Sequence, residues 1–184
     1  DPAYTALNPN AKAPTIVDSD SKVVFDSNAI LFYLAEKQGD FLGAPSQRGA
    51  LLSWLMFVAT GVGPYNGQAV HFQVAAPNFP YAINRYRREA QRHFGILDSK
   101  LAEGPFVLGD AYSIVDMALW GWTNPFDRVM GGSKTLDDYP NLKRWFDQVS
   151  ARPAAQRALA LGADHPWKTE MDEAARRAMF PSNY

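Results

Sequence analysis

The sequence predicts an α+β protein, with an incomplete β/α unit over residues 1–43 followed by an all-helical domain over 46–184. Three observations carry this. Two short β patterns, Thr15-Ile16-Val17 and Val23-Val24-Phe25, flank the polar turn Asp18-Ser19-Asp20-Ser21. The stretch "DSNAILFYLAEKQGDFL" at 26–42 then opens on an acid and a serine and runs on as an apolar, strongly helical segment. Beyond residue 45 no convincing strand appears, and apolar residues recur at helical spacing.

Residues 1–14 read as a connector ending in "NPNAKAP". The two β patterns that follow are too short to make an independent sheet in water. They are nevertheless apolar enough to want cover, so the reading expects partner strands from an N-terminal piece ahead of this sequence. In the helical part, Leu51, Leu52, Trp54, Leu55 and Val58 define one pattern over 46–74, and Pro64 within "GVGPYNG" should kink or break it. Residues 79–102 form the next helix, with Tyr86, Ala90, Phe94, Leu97 and Leu101 on one face. "GPFVLGD" at 104–110 reads as a loop and "YSIVDMALWGW" at 112–122 as the start of another helix. "YPNLKRWFDQVSARPAAQRAL" gives two shorter helices parted near Pro153, and 163–184 ends in a charged amphipathic stretch and "FPSNY".

Ser113 and Asp116 have the spacing of a capping box, with Tyr112 and Met117 where a hydrophobic staple places its members. A purely structural cap is the reading here. Asp26-Ser27, taken alone, also reads as a helix cap.

Composition narrows the function classes. A net charge of −1 and a pI near 6.3 give no sign of nucleic-acid or membrane-surface binding. Without cysteine the 184 residues hold no disulfide, thiolate metal site or cysteine nucleophile of their own. No apolar stretch is long enough to span a bilayer, so a soluble cytoplasmic protein is expected. His93 and His165 lack metal-ligand spacing, and no metal is assigned.

"NAKAPTIVD", "DSNAILFYLAEK", "LGDAYSIVDMALWGW" and "YPNLKRWFDQVSARPA" together resemble the cytosolic glutathione transferase family. "GPYNGQAVHF" followed by "YAINRYRREAQR" is similar to its bacterial nu class, the glutathione-dependent disulfide-bond oxidoreductases. The resemblance implies a thioredoxin-like glutathione-binding domain, of which 1–43 is the C-terminal part, followed by an all-α domain. It implies glutathione as co-substrate, a small electrophile or disulfide as second substrate, and a homodimer using Phe41, Trp54, Phe57 and Tyr65. The thiol-activating residue is expected in the preceding segment.

The resemblance also implies roles for particular residues. Ser27 would cap the helix and hold the γ-glutamyl carboxylate of glutathione, while Asp26 holds its ammonium. Ala13-Pro14 would carry a cis bond, with the Ala13 backbone pairing with the cysteinyl unit. Lys12 and Asn10, beside that turn, would face the glycyl carboxylate. Arg85 matches an arginine that nu-class members aim at the glutathione site. Arg88 and Arg92, on the same stripe, read as a solvated face, with Arg87 pointing elsewhere. For Gln68 and His71 a packing role is preferred over a pocket-lining one. The alternative function is a non-catalytic binding or scaffold protein of the same fold.

Overall fold

The computed structural model describes residues 1–163, 165, 168 and 170–181. The chain does not begin as a connector. Pro2–Leu7 is a helix, α1, because Asp1 accepts a hydrogen bond from the Ala3 amide at 2.9 Å and Pro2 occupies the first turn, where its missing N–H costs nothing. Strands β1 (Thr15–Val17) and β2 (Val23–Phe25) pair antiparallel with Thr15 opposite Phe25 and Val17 opposite Val23. Val17, Val23 and Phe25 are exposed, so this ribbon carries apolar surface that its own helices do not cover.

Helix α2 (Ser27–Gln38) follows directly and ends at Gly39, whose φ of 71° suits a left-handed C-cap. It is tied to the hairpin turn by Asp18, which accepts from Tyr33 Oη at 2.5 Å and from Lys37 Nζ at 2.7 Å. These donors hold the Asp18 carboxyl well below the usual carboxylate range, the Lys37 ammonium contributing most.

The remaining elements are helical. They are α3 (Arg48–Phe57), α4 (Gly63–Val74), α5 (Pro80–Leu101), α6 (Ile114–Thr123), α7 (Phe126–Met130), α8 (Pro140–Ser150), α9 (Pro153–Ala160) and α10 (Glu173–Met179). The short helix pair parted at Pro153 and the charged terminal helix match the sequence expectation, while Ser182–Tyr184 lie outside the described residues. The core fills the space between α3, α5, α6 and α8 with Leu51, Leu55, Phe94, Leu97, Leu119 and Trp145, each at most 1% exposed. This is the layering expected of an α+β chain whose helices supply most of the buried surface.

The interruption expected at Pro64 takes another form and lies earlier. Val58–Val62 is a π turn, and the Gly63 amide reaches back five residues to the Val58 carbonyl. Pro64 has no N–H to give and its ring crowds the carbonyl four residues back, that of Thr60. Widening the helix just ahead of Pro64 accommodates both defects. Gly61 makes the widened turn possible on its inner side, because a Cβ there would sit 2.6 Å from His93 Nε2.

At the start of α6 the capping box forms as expected. Val115 N donates to Ser113 Oγ at 3.3 Å, and Ser113 N donates to Asp116 Oδ2 at 2.9 Å. Asp116 is fully buried and accepts further bonds on Oδ1 from Val107 N at 3.0 Å and from Trp145 Nε1 at 2.9 Å. It therefore ties the 104–110 loop and α8 to α6 as well as capping it. Burial pushes its carboxyl above the ordinary aspartate value, against the pull of those donors.

Candidate functional site

A cavity of about 890 Å³ opens where the 8–14 loop, the N-terminus of α2 and the first turns of α4 converge. The loop is held from below by Asn8, which is 1% exposed. Its Nδ2 donates to the Lys12 carbonyl at 2.6 Å and to Thr15 Oγ1 at 3.1 Å, and its Oδ1 accepts from Asn10 N at 3.0 Å. Tyr4 Oη donates to the same Lys12 carbonyl at 2.8 Å. Helix α1 thus serves to brace the loop. The Ala13–Pro14 peptide bond is cis, and Ala13, Pro14 and Lys12 all line the cavity.

Opposite this loop stands the start of α2. Here the structure corrects the expected capping residue: Asp26, not Ser27, is the N-cap. Asp26 Oδ1 accepts from Asn28 N at 2.9 Å and from Ala29 N at 3.2 Å. Both bonds land on one oxygen, which leaves Oδ2 for another partner. Asp26 also has φ 74° and ψ 127°, a conformation that L side chains rarely adopt and that costs about 1–3 kcal/mol. Such strain persists where the surroundings impose it, and here it lies on the cavity wall. Ser27 is then the first helical residue, and among the described residues its hydroxyl has no partner. It faces the cavity together with its own amide, the Asn28 and Ala29 amides being taken up by Asp26 Oδ1 and that of Ile30 by the Asp26 carbonyl, and the positive helix end favours a bound anion.

The site therefore holds both signs of charge within one concavity. Lys12 and the positive end of α2 attract carboxylates, and Asp26 attracts a cation. That combination suits a zwitterion. The wall from α4 and α6 is less polar and consists of Ala59, Gly63, Pro64, Gly67 and Trp122 with Gln68.

Not every sequence-expected residue arrives here. Gln68 does line the cavity, whereas His71 packs edge-on against Phe72 and Phe180 at 5.1 and 4.8 Å. Arg85 is not among the lining residues. It pairs with Glu89 at 3.1 Å and lines a separate shallow depression with Tyr81, Asn84 and Arg88. Arg92 joins the same Glu89 at 3.0 Å, and Arg87 turns away to donate to Gln73. Sequence reading missed Tyr4, Asn8 and Trp122. Asn8 and Tyr4 act through the Lys12 carbonyl, a contact with no local sequence signature, and Trp122 read simply as part of an apolar helix. Among the described residues no group of three or more His, Asp or Glu is arranged to hold a metal ion.

Comparison with known proteins fits this geometry. Residues 1–37 match the family model described as "Glutathione S-transferase, N-terminal domain" and residues 80–148 that described as "Glutathione S-transferase, C-terminal domain". Disulfide-bond oxidoreductase YfcG of Escherichia coli is 41% identical over 166 residues, 86% of this chain and 76% of the relative. The chain belongs to the glutathione S-transferase family.

Within that family, Disulfide-bond oxidoreductase YghU of Escherichia coli is 36% identical over 98% of this chain and 66% of its own length. Among solved structures, a glutathione transferase family member from Pseudomonas fluorescens with two glutathione bound superposes with a TM-score of 0.80. It is 33% identical and the match covers 86% of this chain and 75% of that one. The fold is accordingly that of the glutathione transferases, a thioredoxin-like β/α part followed by a helical part.

Proposed function

We propose that this cavity binds glutathione and that the protein is a glutathione-dependent enzyme, foremost a thiol–disulfide reductase. The observation that carries the reading is the meeting of Lys12, cis Ala13–Pro14, Asp26 and Ser27 at the N-terminus of α2. In this reading the Ser27 hydroxyl and its own amide hold the γ-glutamyl carboxylate, and Asp26 Oδ2 holds the ammonium. The backbone of Ala13 pairs with the cysteinyl unit like an added strand. Lys12 faces the glycyl carboxylate. Arg85 is left out of this set, because its side chain lies outside the cavity and already has a carboxylate partner. The unpartnered Ser27 hydroxyl and the strained Asp26 favour a working site over a scaffold, which has no use for either.

These 184 residues supply no thiol, and the reaction proposed here runs on the sulfurs of glutathione and its substrate. The thiolate of bound glutathione attacks one sulfur of the substrate disulfide; that S–S bond breaks and the other sulfur leaves as a thiolate. A second glutathione thiolate attacks the resulting mixed disulfide at the glutathione sulfur. Glutathione disulfide and the second substrate thiol are released, so two electrons have passed from two glutathione molecules to the substrate. The protein contributes position, holding the tripeptide at both ends so that its thiolate and the substrate sulfur meet. The reading places the protein in the cytoplasm, where glutathione is held reduced, and keeps the division into 1–43 and 46–184 as its domain boundary. Calorimetry tests it: glutathione should bind, and Ser27→Ala should weaken binding by about 1.5–3 kcal/mol. Unchanged affinity in Ser27→Ala removes the site assignment.

A homodimer completes the proposal. Of the aromatics named for the contact, Trp54 and Phe57 pack on each other at 5.4 Å, and Phe57 and Tyr65 turn inward onto His93. Phe41 is exposed, and α3 adds exposed Leu52 and Met56 beside an apolar cavity of about 330 Å³ shared with Ala29 and Phe32. Such a self-facing patch suits an isologous contact. Sedimentation should show a dimer at micromolar concentration and a monomer in the Leu52→Glu/Met56→Glu variant.

A further inference from the structure

His93 of α5 is 3% exposed and fills the inner side of the π turn at Val58–Val62. Its Nδ1 lies 2.6 Å from the Glu89 carbonyl, which can only accept, so Nδ1 carries the proton and Nε2 of the neutral ring is bare. Nε2 accepts from Arg92 Nη2 at 3.2 Å and lies against Gly61, where a Cβ would come within 2.6 Å. The ring also meets both flanks of the turn. Its centroid is 5.2 Å from that of Phe57, the last residue of α3, and 5.3 Å from that of Tyr65, in the first turn of α4. A π turn leaves the helix ladder locally open, and the side chain packed against it fixes how the two flanks stand.

The same turn carries part of the cavity. Val58, Gly61 and Val62 are buried, whereas Ala59 lines the cavity, followed on α4 by Gly63, Pro64 and Gly67. Asn66 docks α4 to the end of α6, its Nδ2 donating to the Trp122 carbonyl at 3.2 Å. The start of α4 takes its place from the turn, and the turn from His93. Two charged groups of its own helix act on the ring, Glu89 and Arg92, and the Glu89 carboxylate is already shared by Arg85 and Arg92 at 3.1 and 3.0 Å. From α3, the turn and α4 come Phe57, Gly61 and the titratable Tyr65, and residues 48–74 contain no Asp or Glu to receive a second N–H. The two basic residues of that stretch point elsewhere, Arg48 to Glu36 and Phe32, His71 to Phe72 and Phe180. A proton on Nε2 would aim an N–H at the Arg92 guanidinium and leave the new charge buried without a partner.

We infer that His93, which lies outside the cavity, is a positioning residue for its α4 wall and holds that wall only while the imidazole ring is neutral. Protonation of Nε2 ends the bond from Arg92 and moves the ring off Gly61, so Ala59, Gly63 and Gly67 leave the positions that face the 8–14 loop. The consequence for binding rests on the proposed glutathione site: affinity falls as pH drops, through a residue that never touches the ligand. Burial keeps the ring neutral to a pH below the ordinary imidazole value, so the wall is in place at neutral pH.

Calorimetry on the full chain between pH 7.0 and 5.0 tests this, a window in which the carboxylates and ammonium of glutathione stay charged. Glutathione should bind about fivefold more weakly at pH 5.0 than at pH 7.0, the low end of coupling between linked sites. In His93→Gln the side-chain amide can donate to the Glu89 carbonyl and accept from Arg92 without titrating. That variant should bind within about threefold of wild type at pH 7.0 and vary less than about twofold across the window. His71→Gln, which removes the imidazole packed on Phe72 and Phe180, should keep the wild-type profile. An equal pH dependence in wild type and His93→Gln overturns the assignment. A second measurement needs no ligand: in the free protein the amide resonances of Ala59 and Gly67 should move with the midpoint of the His93 imidazole signal, and should stay still in His93→Gln. Amides that stay still in wild type while His93 titrates also overturn it. If wild-type protein binds no glutathione at pH 7.0 yet these amides follow His93, the positioning role stands and the glutathione reading falls.

Discussion

Replacing Asp26 by Asn separates two tasks that one carboxylate combines. Oδ1 accepts from the amides of Asn28 and Ala29 and caps α2, while Oδ2 has no partner among the described residues. Asn caps helices about as well as Asp and tolerates positive φ better than most residues, so the φ of 74° is kept at little added cost. Losing the negative charge at a helix start removes about 0.3–1 kcal/mol. The fold should therefore lose less than about 1 kcal/mol, or roughly 2–4 °C in Tm for a chain of this size. Glutathione binding should suffer more, because an ammonium would lose its anionic partner. A hydrogen bond to a charged group contributes about 1.5–3 kcal/mol. Since Asp26 is solvent-exposed, screening favours the lower half of that range. The dissociation constant should rise roughly 13- to 45-fold. Calorimetry for binding and thermal melts for stability give the two numbers. An Asn variant that binds glutathione within twofold of wild type would show that the carboxylate is a cap and nothing else.

Two further expectations concern the helical part. Asp116→Asn turns an amide NH₂ toward buried donors from Ser113, Val107 or Trp145, and should destabilise by about 3–5 kcal/mol; urea unfolding would show a lower midpoint at unchanged slope, and a loss below about 1 kcal/mol would refute the network's role. Burial holds the pKa of His93 below the ordinary imidazole value, so as pH falls the unfolded chain takes up a proton there before the folded chain does. Stability should fall as pH drops from about 6.5 toward the lower folded value, and His93→Gln should flatten that part of the pH–stability curve. Asp18 and Glu89, whose carboxyls are held low by Lys37 and Arg92, contribute their own loss only at more acid pH.

Much of this architecture is legible in the residues, and the misses have physical causes. The helices read at 79–102 and from 112–122, found at Pro80–Leu101 and Ile114–Thr123, and the Ser113–Asp116 box follow from apolar spacing and cap chemistry, which are local. Helix α1 was hidden by its shortness, although Asp1-Pro2 is a sound helix start. Asp26 and Ser27 are both good caps, and only the backbone torsion at 26 decides between them. The bracing of the 8–14 loop by Asn8 and Tyr4 was invisible because it depends on where α1 docks. Arg85 shows the opposite error: a residue matched by family pattern lies, in this fold, on a face with its own counter-ion.

The π turn at Val58–Val62 bears on how this fold tolerates changes in length. A π turn amounts to one residue inserted into an otherwise continuous α-helix. Each residue of an α-helix advances the chain by about 100° around its axis, since 3.6 residues make a turn. The wide turn absorbs the advance of its extra residue, so Gly63, Pro64 and Gly67 stay on the cavity wall and Asn66 stays at the end of α6. Deleting one residue between 58 and 62 would close the wide turn into an ordinary α-helix and leave that wall in register, whereas a deletion inside α4 has no wide turn to absorb it and would swing the residues after it off the wall.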